Sequence, residues 1–427
     1  MTARFHDWRR FSMALGGEVM QSGLHFALNV ALIALMPARD YGSFAFALVL
    51  GGVGLTYLRS LTAMPASTFI GRARSPAVKD FYEGAFGAAA LVLALLMGAL
   101  GAVALKFAEC DGLAVAPGAA LVALWSLRFH LRNVGYARGR PGAVLIADAA
   151  FAATGALASA GALFLFSDRL AGVLLSLAFA NATSIAALAW ARRAWPRVDW
   201  SRRARWFYLR LARRLVWSLF SVTTTILQGQ GVAFLVVGFA GTQGYAPIAA
   251  MLNLFAPLRI LAMSLSNMLQ PEIARLVAAG DDVGWRRLRG VWTLRGMIIV
   301  LVYGDLGILA IPQLHLRSIQ GQPVMVVATL AWALYAMVLA YLMPKMMLES
   351  RMRYRDLAKI TAAGSLVTLV GTLALLKITS PSYAILGGLL GETVAAVATW
   401  RMAVGPLRAT TAVRVAARAP RQTEPAI

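Results

Sequence analysis

The chain has 427 residues, 59% of them hydrophobic, with a mean hydropathy of +0.69 and a formal net charge of +23. That hydropathy excludes a soluble globular protein. The charge would suggest a nucleic-acid partner in a soluble chain, but here the cations are spread along a membrane pattern, so no nucleic acid is expected.

A helix needs about 20 apolar residues, at ~1.5 Å rise each, to cross a bilayer. Twelve runs of that kind are present, at residues 12–36, 41–61, 81–107, 113–131, 143–166, 170–191, 216–240, 245–269, 291–311, 324–343, 360–378 and 384–404. The runs are about twice too long for barrel strands and lack two-residue alternation, which leaves helices as the only spanning element. The expected fold is an all-α integral membrane protein with 12 transmembrane helices. Its expected organisation is a six-helix block at 1–191, a basic aromatic linker at 192–215, a second six-helix block at 216–404 and a basic disordered tail at 405–427. Connections between spans are too short to hold a catalytic domain, so an enzyme is not expected.

Of the 41 Lys and Arg residues, 35 fall in alternate segments, and the segments between them hold only Arg39, Lys106, Arg169, Arg317 and Lys377. By the positive-inside rule both termini then lie in the cytoplasm. Because each block holds an even number of spans, the two blocks enter from the same side, as in a parallel repeat about the membrane normal. The charged lead at 4–10 precedes an apolar run too long for a signal peptide and is read as the start of the first span. The single Cys110 excludes an internal disulfide and a Cys-rich metal site, and neither metal nor cofactor is expected. Abundant Ala and Arg fit a bacterial inner-membrane protein.

In chain order, the first span carries Glu18, Gln21, His25 and Asn29, spaced by three, four and four residues. They fall within an arc of roughly 80° on the helix, a polar stripe that cannot face lipid. It is either an interhelical hydrogen-bond seam or a wall of a transport cavity, and Glu18 with His25 could carry a proton. Arg59, Arg128, Arg132 and Arg295 lie at cytoplasmic helix ends, as topology determinants or as a cytoplasmic mouth. Glu83 and Asp148 sit about a turn from such ends and are expected to snorkel. The linker interleaves its arginines with Trp195, Trp200, Trp206, Phe207 and Tyr208, as suits a helix in the headgroup layer meeting anionic lipid. The seventh span carries Thr223, Thr224, Thr225, Gln228 and Gln230, and a second surface helix is expected over 272–289. Arg259 lies roughly 15 Å inside the eighth span, just after Pro257, too deep to snorkel. Its guanidinium either pairs with an acid such as Glu18 or Asp305 or binds an anion. Asp305 and Glu392 complete the candidates for a central cavity.

The layout, together with Tyr41-Gly42-Ser43-Phe44-Ala45, Gly241-Thr242-Gln243-Gly244-Tyr245-Ala246, Leu252-Asn253-Leu254-Phe255-Ala256-Pro257-Leu258 and Gln270-Pro271-Glu272-Ile273-Ala274, resembles the Wzx-type polysaccharide flippases of the multidrug/oligosaccharidyl-lipid/polysaccharide (MOP) exporter superfamily. The resemblance implies two six-helix lobes around a central cavity. It also implies alternating access that moves an undecaprenyl-diphosphate-linked oligosaccharide across the inner membrane, alongside other polysaccharide-assembly proteins. Rival readings are a proton- or sodium-coupled multidrug antiporter of the same superfamily, with Glu18 as coupling acid, and a membrane glycosyltransferase or polymerase.

Overall fold

The computed structural model describes residues 2–313, 316, 319–351 and 353–403, so the expected tail at 405–427 lies outside the described residues. Among them the protein is entirely helical: α1 (Thr2–Leu35), α2 (Ala38–Leu58), α3 (Met64–Arg72), α4 (Pro76–Phe107), α5 (Gly112–Ala137), α6 (Pro141–Leu165), α7 (Arg169–Arg192), α8 (Arg202–Leu254), α9 (Ala256–Ala279), α10 (Asp282–Ala310), α11 (Val324–Ser350), α12 (Tyr354–Ile378) and α13 (Ile385–Ala403). A π-helical turn, Arg59–Ala63, joins α2 to α3 so that the pair forms one long rod.

Eleven helical stretches among the described residues are long and apolar enough to cross a membrane, and the longest, Leu215–Leu254, contains the seventh expected span and the first part of the eighth. Gly241 divides it, with φ 69° and ψ 179°, a conformation open to glycine and closed to residues with a Cβ. The second arm of α8 stops at Phe255, and Pro257 sits in the first turn of α9, where its missing N–H costs nothing. The eighth span is therefore a bent helix made of the second arm of α8 and α9. Counting the arms separately gives the twelve spans read from the sequence.

Helices α1 to α7 pack on one another, as do α8 to α13, and the two groups meet chiefly where α2, and to a lesser extent α1 and α4, lie against α8. The pairs Phe46–Phe234, Tyr57–Thr223 and Ser60–Ser218 march in opposite directions along the two chains, so α2 runs antiparallel to the first arm of α8. Hydroxyl groups stitch this seam: Tyr57 and Thr223 lie 3.0 Å apart, and Ser60 bonds Ser218. Thr223 of the seventh span thus has a structural use, and Ser365 of α12 also bonds this helix, donating to the Thr224 backbone carbonyl at 2.7 Å.

Three local expectations need correction. The linker is not one interfacial helix: 193–201 is irregular, and the helix that begins at Arg202 runs unbroken into the span. Phe207 packs among Phe69, Phe81, Tyr82 and Phe86, and Tyr208 donates to the Leu61 carbonyl at 3.2 Å. Burial pushes the Tyr208 phenol up to about 12. These rings hold α8 to α3 and α4, leaving only Trp195, Trp200 and Trp206 outside. Second, no separate surface helix occupies 272–289, because Gly280 (φ 67°) ends α9 and Asp281 caps α10 by accepting from the Gly284 N–H at 2.8 Å. The amphipathic pattern there belongs to the ends of two spans. Third, Glu83 and Asp148 do not snorkel; they are 3% and 0% exposed and each is held by two arginines.

Candidate functional site

The polar stripe of α1 faces protein along most of its length. Arg132 donates to Glu18 Oε1 at 2.7 Å, and Arg128 donates to Gln21 Oε1 at 3.2 Å. Both arginines come from α5, four residues apart and therefore on one face of the helix. Between them lies Asp148 of α6, which accepts from Arg128 at 2.8 Å through one oxygen and from Arg132 at 2.9 Å through the other. Arg128 also donates to Ser184 at 2.9 Å, and its guanidinium stacks 3.9 Å from the centre of the Phe151 ring. The two cations and two acids balance, which is the condition for burying them at all: an isolated ion is expensive, and a paired, hydrogen-bonded one is tolerated. Only Glu18 opens outward, its side chain 59% exposed.

One turn further, His25 stacks on Trp125 of α5 with ring centres 5.1 Å apart and leans on Phe151 at 5.7 Å. Its Nε2 is buried without a partner among the described residues. Asn29 is the member of the stripe that crosses to the second group of helices. Asn253, on the second arm of α8, donates to Asn29 Oδ1 at 2.9 Å and to the Tyr41 hydroxyl at 3.0 Å. Ser43 donates to Thr242 at 3.1 Å close by, and a side chain at Gly42 would collide with the Thr242 carbonyl. These contacts, all near the α1–α2 connection, bind the two groups together at the cation-poor end of the bundle.

Arg259 follows Asn253 by six residues, beyond the bend, in the first turn of α9. It is exposed, and it makes no hydrogen bond or ion pair among the described residues. Its charge lies within electrostatic reach of His25 on α1 and of Tyr245 and Tyr335 in its own helix group. Neither acid considered as its partner takes that place. Glu18 is bound to Arg132, and Asp305 lies on an exposed face of α10 beside Leu301, Val302, Leu306 and Leu309.

The remaining candidates fall into separate places. Glu392 of α13 accepts from Tyr341 at 2.7 Å and from Gln228 at 3.1 Å, a junction of α8, α11 and α13 inside the second group. Arg59 is exposed on the π-helical turn, and Arg295 lies over the Trp292 ring at 5.2 Å. Asn253, Tyr41 and Trp125 carry no role in the sequence reading. A usable signal was present for the ion network, since Arg128 and Arg132 at four-residue spacing precede an acid at the matching depth of the next span. No comparable pattern announces a bond between Asn29 and Asn253, 224 residues apart.

No protein-family model matches the sequence, and none of the curated proteins matches it by sequence. Solved structures do match in three dimensions. An inward-facing multidrug resistance MATE family transporter of the MOP superfamily superposes with a TM-score of 0.69 at 12% identity, covering 92% of this chain and 96% of that one. The lipid II flippase MurJ, in an inward closed conformation, gives 0.65 at 10% identity over 95% of this chain and 90% of that one. A eukaryotic MATE transporter gives 0.63 at 13% identity over 96% and 98%. At such identities the likeness concerns the fold. This chain is an all-helical, multi-pass membrane protein with a MATE-like fold, which the lipid II flippase MurJ also matches.

Proposed function

We propose that the protein is a transporter that flips a lipid-linked oligosaccharide, its diphosphate included, from the cytoplasmic to the periplasmic leaflet of a bacterial inner membrane by alternating access. The observation that carries this reading is Arg259. An ionised side chain near the middle of a span costs at least ~2.5–3.5 kcal/mol unless it has a partner or water. Arg128, Arg132, Arg138 and Arg192 have acids to match, and Arg259 has none among the described residues. A guanidinium left open in this way suits bidentate contact with a phosphate oxygen pair. In the orientation implied by the cation asymmetry, the Asn29–Tyr41–Asn253 junction is on the periplasmic side of Arg259, and alternating access would require these bonds between the two helix groups to break for release to that side. No covalent chemistry is needed, and a flippase needs only a polar pocket for the head and a lateral opening for the tail. The fold supports a transporter over a glycosyltransferase or polymerase.

A second reading, a cation-coupled multidrug antiporter, is favoured by Glu18, an acid both tied to the buried network and open to water. Cells lacking the protein separate the two. Accumulation of lipid-linked saccharide with loss of surface polysaccharide supports flipping; normal polysaccharide with altered drug sensitivity supports the antiporter.

A further inference from the structure

We infer that a groove on the outer face of the first helix group, between the start of α6 and the end of α7, is a binding site for one anionic phospholipid of the leaflet at the basic end of the bundle. The groove has a volume of about 740 Å³, with Ala143 and Ile146 of α6 and Ala189 of α7 in its walls and Trp190, Arg193 and Trp195 around its mouth. Alanines make the hollow, because two helices that pack closely leave a channel wherever their outer side chains end at Cβ. Both tryptophans are 75% exposed, and in a membrane-spanning chain a surface at this position is covered by lipid.

The end of α7 aims a cation into the mouth. The Arg193 N–H donates to the Trp190 carbonyl at 3.0 Å and the Ala194 N–H to the Ala189 carbonyl at 3.1 Å, a helix-ending turn that folds Trp195 back over the groove. This turn requires a left-handed residue, and Arg193 takes that conformation with φ 52° where glycine is usual. Its guanidinium makes no ion pair among the described residues. Beside it, Arg140 donates to the Arg192 carbonyl at 2.6 Å, adding a second cation. No acid lines the groove, and the nearby acids Asp80 and Glu83 are already held by Arg138, Arg192 and Arg197. Two indoles for the glycerol and upper acyl region, an apolar floor and a free guanidinium at headgroup level make a site for a phosphate diester of net negative charge. It is independent of the transported cargo, and it assigns the lipid contact to one groove rather than to the linker as a whole.

The test uses the full chain reconstituted in phosphatidylcholine vesicles that contain, as a minority lipid, brominated phosphatidylglycerol or brominated phosphatidylcholine. Bromine quenches only nearby indoles, and subtracting a Trp190→Phe/Trp195→Phe variant isolates the signal of the groove. The anionic lipid should quench that signal at about fivefold lower mole fraction than the zwitterionic one. Arg193→Asn keeps the left-handed turn and should abolish the preference, while Arg193→Lys should retain most of it. Equal quenching by the two lipids, absence of any groove signal, or a preference that survives in Arg193→Asn would overturn the assignment.

Discussion

The two helix groups handle charge within their spans in opposite ways. In the first, the arginines Arg128, Arg132, Arg138 and Arg192 are each met by an acid of the same group, Glu18, Asp148, Glu83 or Asp80. In the second, Glu392 is satisfied by neutral donors, and Arg259 stands exposed without a hydrogen-bond or ion-pair partner among the described residues. Charge in the first group is therefore scaffolding, which locks α1, α4, α5, α6 and α7 into one body. The odd charge in the second group is available for a ligand. Depth in the membrane does not distinguish the two uses; the presence of a counter-charge does.

Removing one partner from each region should separate scaffolding from binding. The largest loss of stability is expected for Asp148→Ala, which leaves Arg128 and Arg132 buried with a single half-open acid between them. A cost of about 3–5 kcal/mol is expected, read as a large fall in the melting temperature of the purified protein. Glu83→Gln should cost less, about 1–3 kcal/mol, because Arg138 retains Asp80 while Arg192 loses its acid. Asn253→Ala removes two bonds between the groups at ~0.6 kcal/mol each. Its main effect should be on conformation: a cysteine placed at exposed Gly23 should become more reactive to a membrane-impermeant reagent added from the periplasmic side. Unchanged labelling would remove the Asn29–Tyr41–Asn253 junction from the gate. Glu18→Gln, at the open edge of the ion network, should change stability by less than about 1 kcal/mol. If protonation of Glu18 drives transport, this variant should also lose the dependence of transport on external pH; a retained dependence would move the coupling elsewhere.

Much of the architecture was legible in the sequence because bilayer thickness imposes simple rules of length and hydropathy on every span. The same rules failed at Arg128, Arg132, Glu83 and Asp148. Sequence position placed these residues near helix ends, where a snorkelling side chain and a buried ion pair look alike; only the packing of α5 against α6 and α7 tells them apart. The stripe on α1 was legible as a polar face, but its partners come from other helices, and helical periodicity cannot name them. The linker misled for a related reason. Aromatic and cationic residues alternate in a headgroup helix and in a helix packed on a neighbour, and Phe207 meets Phe69, Phe81, Tyr82 and Phe86 instead of lipid.

The most direct test of the proposed role of Arg259 is the affinity of purified protein for an undecaprenyl-diphosphate-linked saccharide, compared between the wild type and Arg259→Gln at equal melting temperature. Loss of a charge-assisted contact worth about 1.5–3 kcal/mol should weaken binding by roughly tenfold to a hundredfold. Equal affinity of the two proteins would contradict the role assigned to the unpaired guanidinium.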